Sequence, residues 1–180
     1  MERIKLTDIS DYINSKNIIN ESNGIKTYIY QDNKVLKIYD EDSITRITSD
    51  GLLKLDTLSL EVFLKPIDMI VDGLKIVGYT EKSLDRKENY PLLIDDDKLL
   101  TDISTLSLNG FRIDTNSIEC IKTENCTYFS ATSGLNYSNA DRTLLKLKLT
   151  RDNLTSMTKY FEDTGITVDI NKETPKEKTL

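Results

Sequence analysis

The sequence predicts an α+β protein, and three observations support that prediction. Its first half contains short runs of alternating apolar and polar residues separated by tight-turn sequences, which is typical of antiparallel strands. Its second half contains longer segments with apolar residues three and four positions apart, which is typical of amphipathic helices. Apolar residues make up 38% of the 180 residues and charged residues 30%, a balance typical of a globular domain with a buried core.

A short helix and two strands are predicted at the start of the chain. Thr7 can cap a helix over residues 7–14, because the apolar side chains of that segment share one face. Residues 17–40 alternate in polarity and predict strands. A tight turn at residues 32–33 is expected to lead into the second of them, at residues 34–39.

A helix and a hairpin follow. The polar residues 40–43 can cap a helix over residues 43–55, which Gly51 is expected to weaken or kink. Residues 67–79 form the clearest hairpin signal in the chain, because two apolar runs flank Asp-Gly at residues 72–73, a favoured two-residue turn.

The second half alternates between polar connectors and ordered segments. Acidic residues at 95–97 cap its first helix, and Asn-Gly at 109–110 stops that helix. The predicted segments are a connector at 81–94, a helix at 97–108, strand-like runs at 117–121 and 127–131, a polar loop at 134–141 and helix, in one piece or two, at 142–163. The charged residues 171–180 carry no pattern, so disorder is expected there.

Composition and charge exclude several classes of function. Thirty acidic against 24 basic residues give a net charge of −6, which argues against a broad nucleic-acid-binding surface. No apolar run is long enough to span a membrane. The amino terminus lacks the apolar segment of a signal peptide, so a cytoplasmic location is expected.

The chain contains no histidine, which removes the commonest general base and the commonest metal ligand. Cys120 and Cys126 are six positions apart, and this spacing matches no common zinc motif. We therefore expect both cysteines to be ordinary buried or half-buried thiols.

Lys37 is the residue that says most about function. It lies among alternating apolar residues on the predicted strand at 34–39, so its cation points away from its strand neighbours. Two interpretations remain open. Lys37 could contact the phosphates of a nucleotide, or it could be a solvent-facing lysine on a half-exposed strand.

The order of these elements over residues 17–133 resembles the protein kinase fold, especially that of compact bacterial kinase-like proteins. In this comparison the strand of Lys37 corresponds to the kinase strand whose lysine contacts ATP. Residues 43–55 then correspond to the regulatory helix αC. The resemblance implies an antiparallel amino-terminal lobe with an αC-like helix and a much reduced helical carboxyl-terminal lobe. The implied divisions are an amino-terminal helix at 1–16, a lobe-like sheet and helix at 17–82, a reduced helical part at 83–163 and a mostly disordered tail at 164–180.

The resemblance also implies the positions of functional residues. Lys37 and Glu81 would contact a nucleotide, Asp114 would act as the catalytic base, and Asn116 would bind magnesium. ATP and Mg²⁺ are the cofactors that such a site would use. Asp114 has an alternative interpretation as a turn residue that bonds to its own backbone beside Asn116.

The chain departs from the kinase pattern at the groups that bind phosphate and neutralise its charge. Gly24 is the only glycine left of the three in the phosphate-binding loop, and the nearest acid for the αC position, Asp50, is in a poor register. Asp114 and Asn116 are two residues apart instead of five. Residues 130–132, Ser-Ala-Thr, stand where a magnesium-binding aspartate is expected.

Phosphoryl transfer depends on positioning and on electrostatic stabilisation, and the groups that supply both are missing here. These departures therefore predict a non-catalytic, pseudokinase-like regulatory or protein-binding module. Such a module needs no cofactor and binds a protein partner. A divergent ATP-dependent phosphotransferase is the first alternative. A small α+β interaction protein unrelated to kinases is the second.

Overall fold

The computed structural model describes residues 1–41, 47–138 and 143–163, and it confirms the α+β class. Its described strands are β1 (Glu2–Lys5), β2 (Ile18–Ser22), β3 (Ile25–Ile29), β4 (Lys34–Tyr39), β5 (Phe63–Leu64), β6 (Asp68–Asp72), β7 (Lys75–Lys82), β8 (Phe111–Ile113), β9 (Cys120–Lys122), β10 (Thr127–Ser130) and β11 (Leu135–Tyr137). Its described α-helices are α1 (Leu6–Ile9), α2 (Ser49–Asp56), α3 (Asp96–Leu108) and α4 (Thr143–Asp163).

Six strands form the main sheet in the order β1-β6-β7-β4-β3-β2. All neighbouring pairs are antiparallel except β1 and β6, which run parallel. Two smaller sheets complete the described part of the chain: β5-β10-β9, and the antiparallel pair β8 and β11. Strand β4 therefore lies inside the main sheet, with β3 on one side and β7 on the other.

Both predicted hairpin turns of the main sheet are present. Asp32 and Asn33 have φ values of 55° and 59°, the left-handed geometry that matches the twist of β3 and β4. Gly73 has a φ of 63°. The second turn lies one residue later than predicted, because Asp72 pairs with Lys75.

The amino terminus differs from its prediction. Residues 2–5 form strand β1, which the sequence analysis did not identify, and the predicted helix over 7–14 is reduced to α1 and a 3₁₀ turn at Ser10–Tyr12. Lys5, without a side-chain cap, stands at the N-cap in place of Thr7. Strand β1 is short and mostly exposed, so it carries little of the alternation from which strands are predicted.

Helix α2 begins later than the predicted residue 43. Thr48 is its N-cap, and the Thr48 hydroxyl accepts a hydrogen bond from the Gly51 amide at 3.1 Å. Residues 42–46, which include part of the predicted cap, lie outside the described residues. Gly51 allows close packing instead of kinking the helix, because a Cβ at this position would lie 2.7 Å from Cγ1 of Ile47.

The two long helices follow the predictions. The Asp95 side chain caps α3 by accepting a hydrogen bond from the Lys98 amide at 3.1 Å, and Gly110 follows its end with a φ of 87°. Helix α4 is a single piece. The predicted loop at 134–141 is wrong in its first part, since residues 135–137 form β11 and pair with β8.

The main sheet has a hydrophobic layer on each side. Ile9 of α1 packs with Tyr28, Leu36 and Ile70 on one side. On the other side the sheet meets the second half of the chain in a larger core that includes Tyr79. Because side chains alternate along a strand, Lys37 lies on this second side, between the sheet and the rest of the protein.

The remaining predictions concern the cysteines, the tail and the membrane. Cys120 and Cys126 are free and half-buried, as predicted. The tail at 171–180 lies outside the described residues. Within the described ranges, none of the helices has the length and apolar character needed to cross a membrane.

Candidate functional site

Lys37 is placed by the register of three strands. Thr27 of β3 and Tyr79 of β7 are its cross-strand partners, and Val35 stands opposite Glu81 two pairs along. The Lys37 side chain is 1% exposed, so the solvent-facing interpretation is wrong. A buried lysine needs ionic and hydrogen-bonding partners, because transfer of an unpaired charge out of water is very unfavourable.

Two glutamates supply those partners. Lys37 Nζ lies 3.3 Å from Glu81 Oε1 and donates a short hydrogen bond to Glu119 Oε1. Glu81 comes from the end of β7 and is fully buried. Glu119 directly precedes β9, and its side chain is 7% exposed. The pairing therefore ties the main sheet to the small sheet of β9 and β10.

Glu119 also accepts hydrogen bonds from two donors in other parts of the chain. Its Oε2 accepts hydrogen bonds from Arg86 Nη1 at 3.0 Å and from Asn20 Nδ2 at 2.8 Å. Lys37, Glu81, Arg86 and Glu119 together form what we call the charge network, with two cationic and two acidic side chains. Their formal charges cancel when all four groups are ionised.

Glu81 has a different environment at its second oxygen. Ser130 Oγ donates to Glu81 Oε2 at 2.8 Å, and the Tyr79 hydroxyl lies 3.2 Å from the same serine oxygen. Ser130 is the first of the three residues that stand where a magnesium-binding aspartate is expected. Its neutral hydroxyl instead bonds to a carboxylate that already faces Lys37.

The two carboxylates respond to this environment in opposite directions. Burial raises the pKa of Glu81, and the nearby Lys37 charge only partly opposes that shift. Burial also acts to raise the pKa of Glu119, but the charges of Lys37 and Arg86 and the hydrogen bonds that they donate outweigh it. The pKa of Glu119 is therefore lowered, and this carboxylate stays ionised at neutral pH.

A small cleft, which we call the Lys37 cleft, adjoins the network. Its volume is about 50 Å³. Apolar side chains from β2, β4, β9 and the connector after β7 line it, together with polar groups at its inner end. The apolar residues are Ile19, Val35, Leu84 and Ile121, and the polar residues are Thr27, Lys37, Glu81, Lys82, Ser83 and Arg86.

Asp114 and Asn116 form a local turn. The exposed Asp114 accepts hydrogen bonds from the Asn116 amide at 3.1 Å and from the Ser117 hydroxyl at 3.0 Å. This is the geometry of the turn interpretation. The structure thus brings Lys37 and Glu81 together and brings Asp114 next to Asn116. The catalytic role of Asp114 and the magnesium role of Asn116 stay predictions.

Glu119 and Arg86, two members of the network, were missed by the sequence analysis. Glu119 lies within the strand-like run predicted at residues 117–121, and 82 positions separate it from Lys37. Arg86 lies in the polar connector, where charged residues are usually solvated. The available sequence signal was a lysine among apolar residues of a strand, and that pattern does not say which acid pairs with it.

Asp102 of α3 was also missed, although it is fully buried. Its carboxylate accepts hydrogen bonds from the amides of Glu61, Val62 and Phe63 at 2.8 to 3.0 Å. Burial raises the pKa of Asp102, and the three amide donors oppose that shift. An acid within the apolar stripe of a predicted helix was the available signal.

A metal site is not apparent in the part of the chain that the structure describes, because no three His, Cys, Asp or Glu side chains are grouped there. Comparisons with protein-family models, with curated proteins and with solved structures find no match to this chain.

Proposed function

We propose that this chain is a non-catalytic, pseudokinase-like regulatory or protein-binding module. The observation that carries the proposal is the pairing of Lys37 with two carboxylates at the inner end of a small cleft. A lysine that serves phosphoryl transfer has to direct its charge at phosphate. Lys37 directs its charge at Glu81 and Glu119.

The arrangement of the main sheet supports the kinase-like part of the proposal. Strands β2, β3, β4, β7 and β6 form five adjacent antiparallel strands. Helix α2 connects the central strand β4 to the hairpin region, as the αC-like helix should. The central strand carries the lysine, and α3 and the β9–β10 hairpin follow in the expected order.

The energetics of the charge network support the non-catalytic part. A phosphate that contacts Lys37 has to displace Glu119 or approach two buried acids. Breaking a buried ion pair leaves an uncompensated charge, which costs about 3–5 kcal/mol. A penalty of that size weakens binding by roughly 10²- to 4 × 10³-fold.

The size of the Lys37 cleft supports the same conclusion. Sites for drug-sized ligands and cofactors have volumes of about 300–1,000 Å³, whereas this cleft has about 50 Å³. Lys37 and Arg86 are already bonded to Glu119, so enlargement toward Lys37 would separate the sheet from Glu119.

Nucleotide titration tests the non-catalytic part of the proposal. We would follow thermal unfolding of the full chain with ATP or ADP at millimolar concentration, each with and without Mg²⁺. The proposal expects no Mg²⁺-dependent shift. A ligand at about 100 times its dissociation constant stabilises by about 2.7 kcal/mol, which raises the midpoint of a chain of this size by roughly 5–11 °C. A shift of that kind would support the divergent phosphotransferase instead.

The protein-binding part needs its own measurement. A partner identified by affinity capture would be purified, and its dissociation constant for this chain measured with and without MgATP. The proposal expects a specific complex with the same affinity in both conditions. An affinity that depends on MgATP would contradict it.

A second candidate is a small α+β interaction protein unrelated to kinases. Two observations favour it: the parallel edge strand β1, and the small sheets of β5, β10 and β9 and of β8 and β11. The resemblance predicts none of these features apart from the β9–β10 hairpin. This candidate also expects no response to nucleotides, so the nucleotide titration separates both binding-module candidates from the enzyme.

A further inference from the structure

Strand β1 is an open edge of the main sheet. It pairs with β6 on one side, and no strand pairs with its other side in the described part of the chain. Three of its four residues are exposed, and Ile4 is half-buried. An edge strand presents backbone N–H and C=O groups that can pair with another extended chain. The outer side of β1, which we call the β1 edge, can therefore accept one more strand.

Two cations lie on the same face of the β1 edge. Arg3 stands opposite Met69 and Lys5 opposite Val71 in the pairing with β6, and residues two apart on a strand project to the same face. Neither cation forms an ion pair with an acid of the described residues. Acids outnumber bases in this chain, which has a net charge of −6. The two cations are therefore available to acids of another molecule, and opposite charges on neighbouring strands attract.

The residue between the two cations is apolar and projects to the other face. Ile4 stands opposite Ile70 and packs against the layer that contains Ile9 of α1. Because Ile4 is only half-buried, an apolar side chain on an added strand would remove more of its surface from water. The β1 edge thus matches a segment in which an apolar residue stands between two acids.

The charges of β1 disfavour pairing between two copies of this chain. Directly opposite residues of an antiparallel pair are either both hydrogen-bonded or both not, so a two-fold pair of identical strands is centred on a residue that faces its own copy. A centre at Glu2, Arg3 or Lys5 places like charges directly opposite each other. A centre at Ile4 places Arg3 opposite Lys5 twice. Like charges at such positions are destabilising, so the β1 edge favours an acidic partner over a second copy.

We propose that the β1 edge binds an extended acidic segment of a partner protein by strand addition, with two acids opposite Arg3 and Lys5 and an apolar residue opposite Ile4. Backbone hydrogen bonds supply affinity in this mode of recognition, and side chains at alternate positions supply specificity. The inference rests on the proposed protein-binding function and names the chemistry of the partner. It does not depend on kinase ancestry.

Short peptides test the charge and the backbone pairing separately. The probe is an end-capped Thr-Glu-Val-Glu-Thr peptide, titrated into the ¹⁵N-labelled full chain with backbone amide signals followed by NMR. We expect shifts at β1 and binding at least about fourfold tighter than that of Thr-Lys-Val-Lys-Thr, because two attractive cross-strand pairs replace two repulsive ones. Two N-methylated forms of the probe carry the methyl groups on the glutamates or on the other three residues. Strand addition uses one edge of the peptide, so one form should lose affinity and the other should keep it.

A charge reversal locates the site. In Arg3→Glu/Lys5→Glu the preference should invert, so that the lysine peptide binds at least about fourfold more tightly than the glutamate peptide. Lys148→Glu/Arg151→Glu is the matched control, because it makes the same change of charge at exposed residues of α4, and the preference of this variant should stay that of wild type. Both exposed edge residues can be changed without disturbing a buried contact.

Four results would overturn the proposal: no shifts at β1, equal binding of the two peptides, equal loss of affinity in both N-methylated forms, or tighter binding of a uridine hexanucleotide than of the acidic peptide. A purified partner that binds Arg3→Glu/Lys5→Glu as tightly as wild type would also overturn it. That last result would leave the protein-binding function itself intact, so the two failures are distinguishable.

Discussion

Replacement of Glu119 by glutamine should destabilise the protein strongly. Glu119 accepts hydrogen bonds from Lys37, Arg86 and Asn20. A glutamine has no charge, and its amide group would turn N–H donors toward one of the two cations. Loss of one partner of a buried ion pair costs about 3–5 kcal/mol. Since Lys37 keeps Glu81 at 3.3 Å, we expect the lower end, about 3 kcal/mol.

For a chain of this length, a loss of about 3 kcal/mol lowers the thermal midpoint by about 6–12 °C. Urea unfolding followed by circular dichroism measures the free energy directly. Glu124→Gln is the matched control, because Glu124 is an exposed glutamate, and its effect should stay within about 0.5 kcal/mol.

A double-mutant cycle with Lys37→Met then tests whether the two residues act as a pair. Once the lysine charge is removed, Glu119→Gln should cost less, with a coupling energy of about 1–3 kcal/mol. A loss below about 1 kcal/mol for Glu119→Gln, or additive effects in the cycle, would refute the assignment of Glu119 as the main counter-charge of Lys37.

Four further predictions concern pH, hydrogen bonding and packing. Burial raises the pKa of Glu81 above its ordinary value of 4.5. The contribution of Glu81 to the free energy of unfolding therefore falls as pH rises through and above that value. Relative to wild type, Glu81→Gln should gain stability toward neutral pH in urea titrations. The lowered pKa of Glu119 gives the opposite sign: its contribution is present above 4.5 and is lost as pH falls below that value, and Glu119→Gln should approach wild-type stability in acid. Asp102→Ala should lower the free energy of unfolding in urea by roughly 3–6 kcal/mol, because three amides lose their acceptor. Asp102→Asn should lower it less. A decrease below about 1 kcal/mol for Asp102→Ala would contradict this prediction. Gly51→Ala should cost about 1–2 kcal/mol in thermal unfolding through a clash with Ile47, and a gain in stability from the better helix propensity of alanine would show that the packing relaxes.

The sequence allowed much of the fold to be predicted because its signals are local. The strands around Lys37, the positive-φ turn before β4 and the capped helix α3 all depend on residues within a few positions of one another. Strand β1 depends instead on pairing with β6, more than 60 residues away, and its own four residues carry little pattern. Strand β11 was also missed, because its three residues carry little pattern of their own and it depends on pairing with β8.

The site was less predictable than the fold. The sequence placed a cation on the correct strand and named Glu81, but the burial of Lys37 comes from the second half of the chain, which covers that side of the sheet. The role of Glu119 follows from a contact across 82 positions, and no local pattern encodes such a contact. Asp102 was recognisable as an acid within an apolar helical stripe, yet its three amide partners lie in a loop that has no motif.

The most direct test of the account is an NMR measurement of the Lys37 side-chain ammonium in the wild-type chain, with the signal assigned by its loss in Lys37→Met. The account predicts a signal protected from exchange with water, because Glu81 and Glu119 hold the ammonium in a buried site. It also predicts that millimolar MgATP leaves the signal unchanged. A rapidly exchanging ammonium, or a shift of its signal on addition of MgATP, would contradict the claim that Lys37 is paired with the two carboxylates and is not available to phosphate.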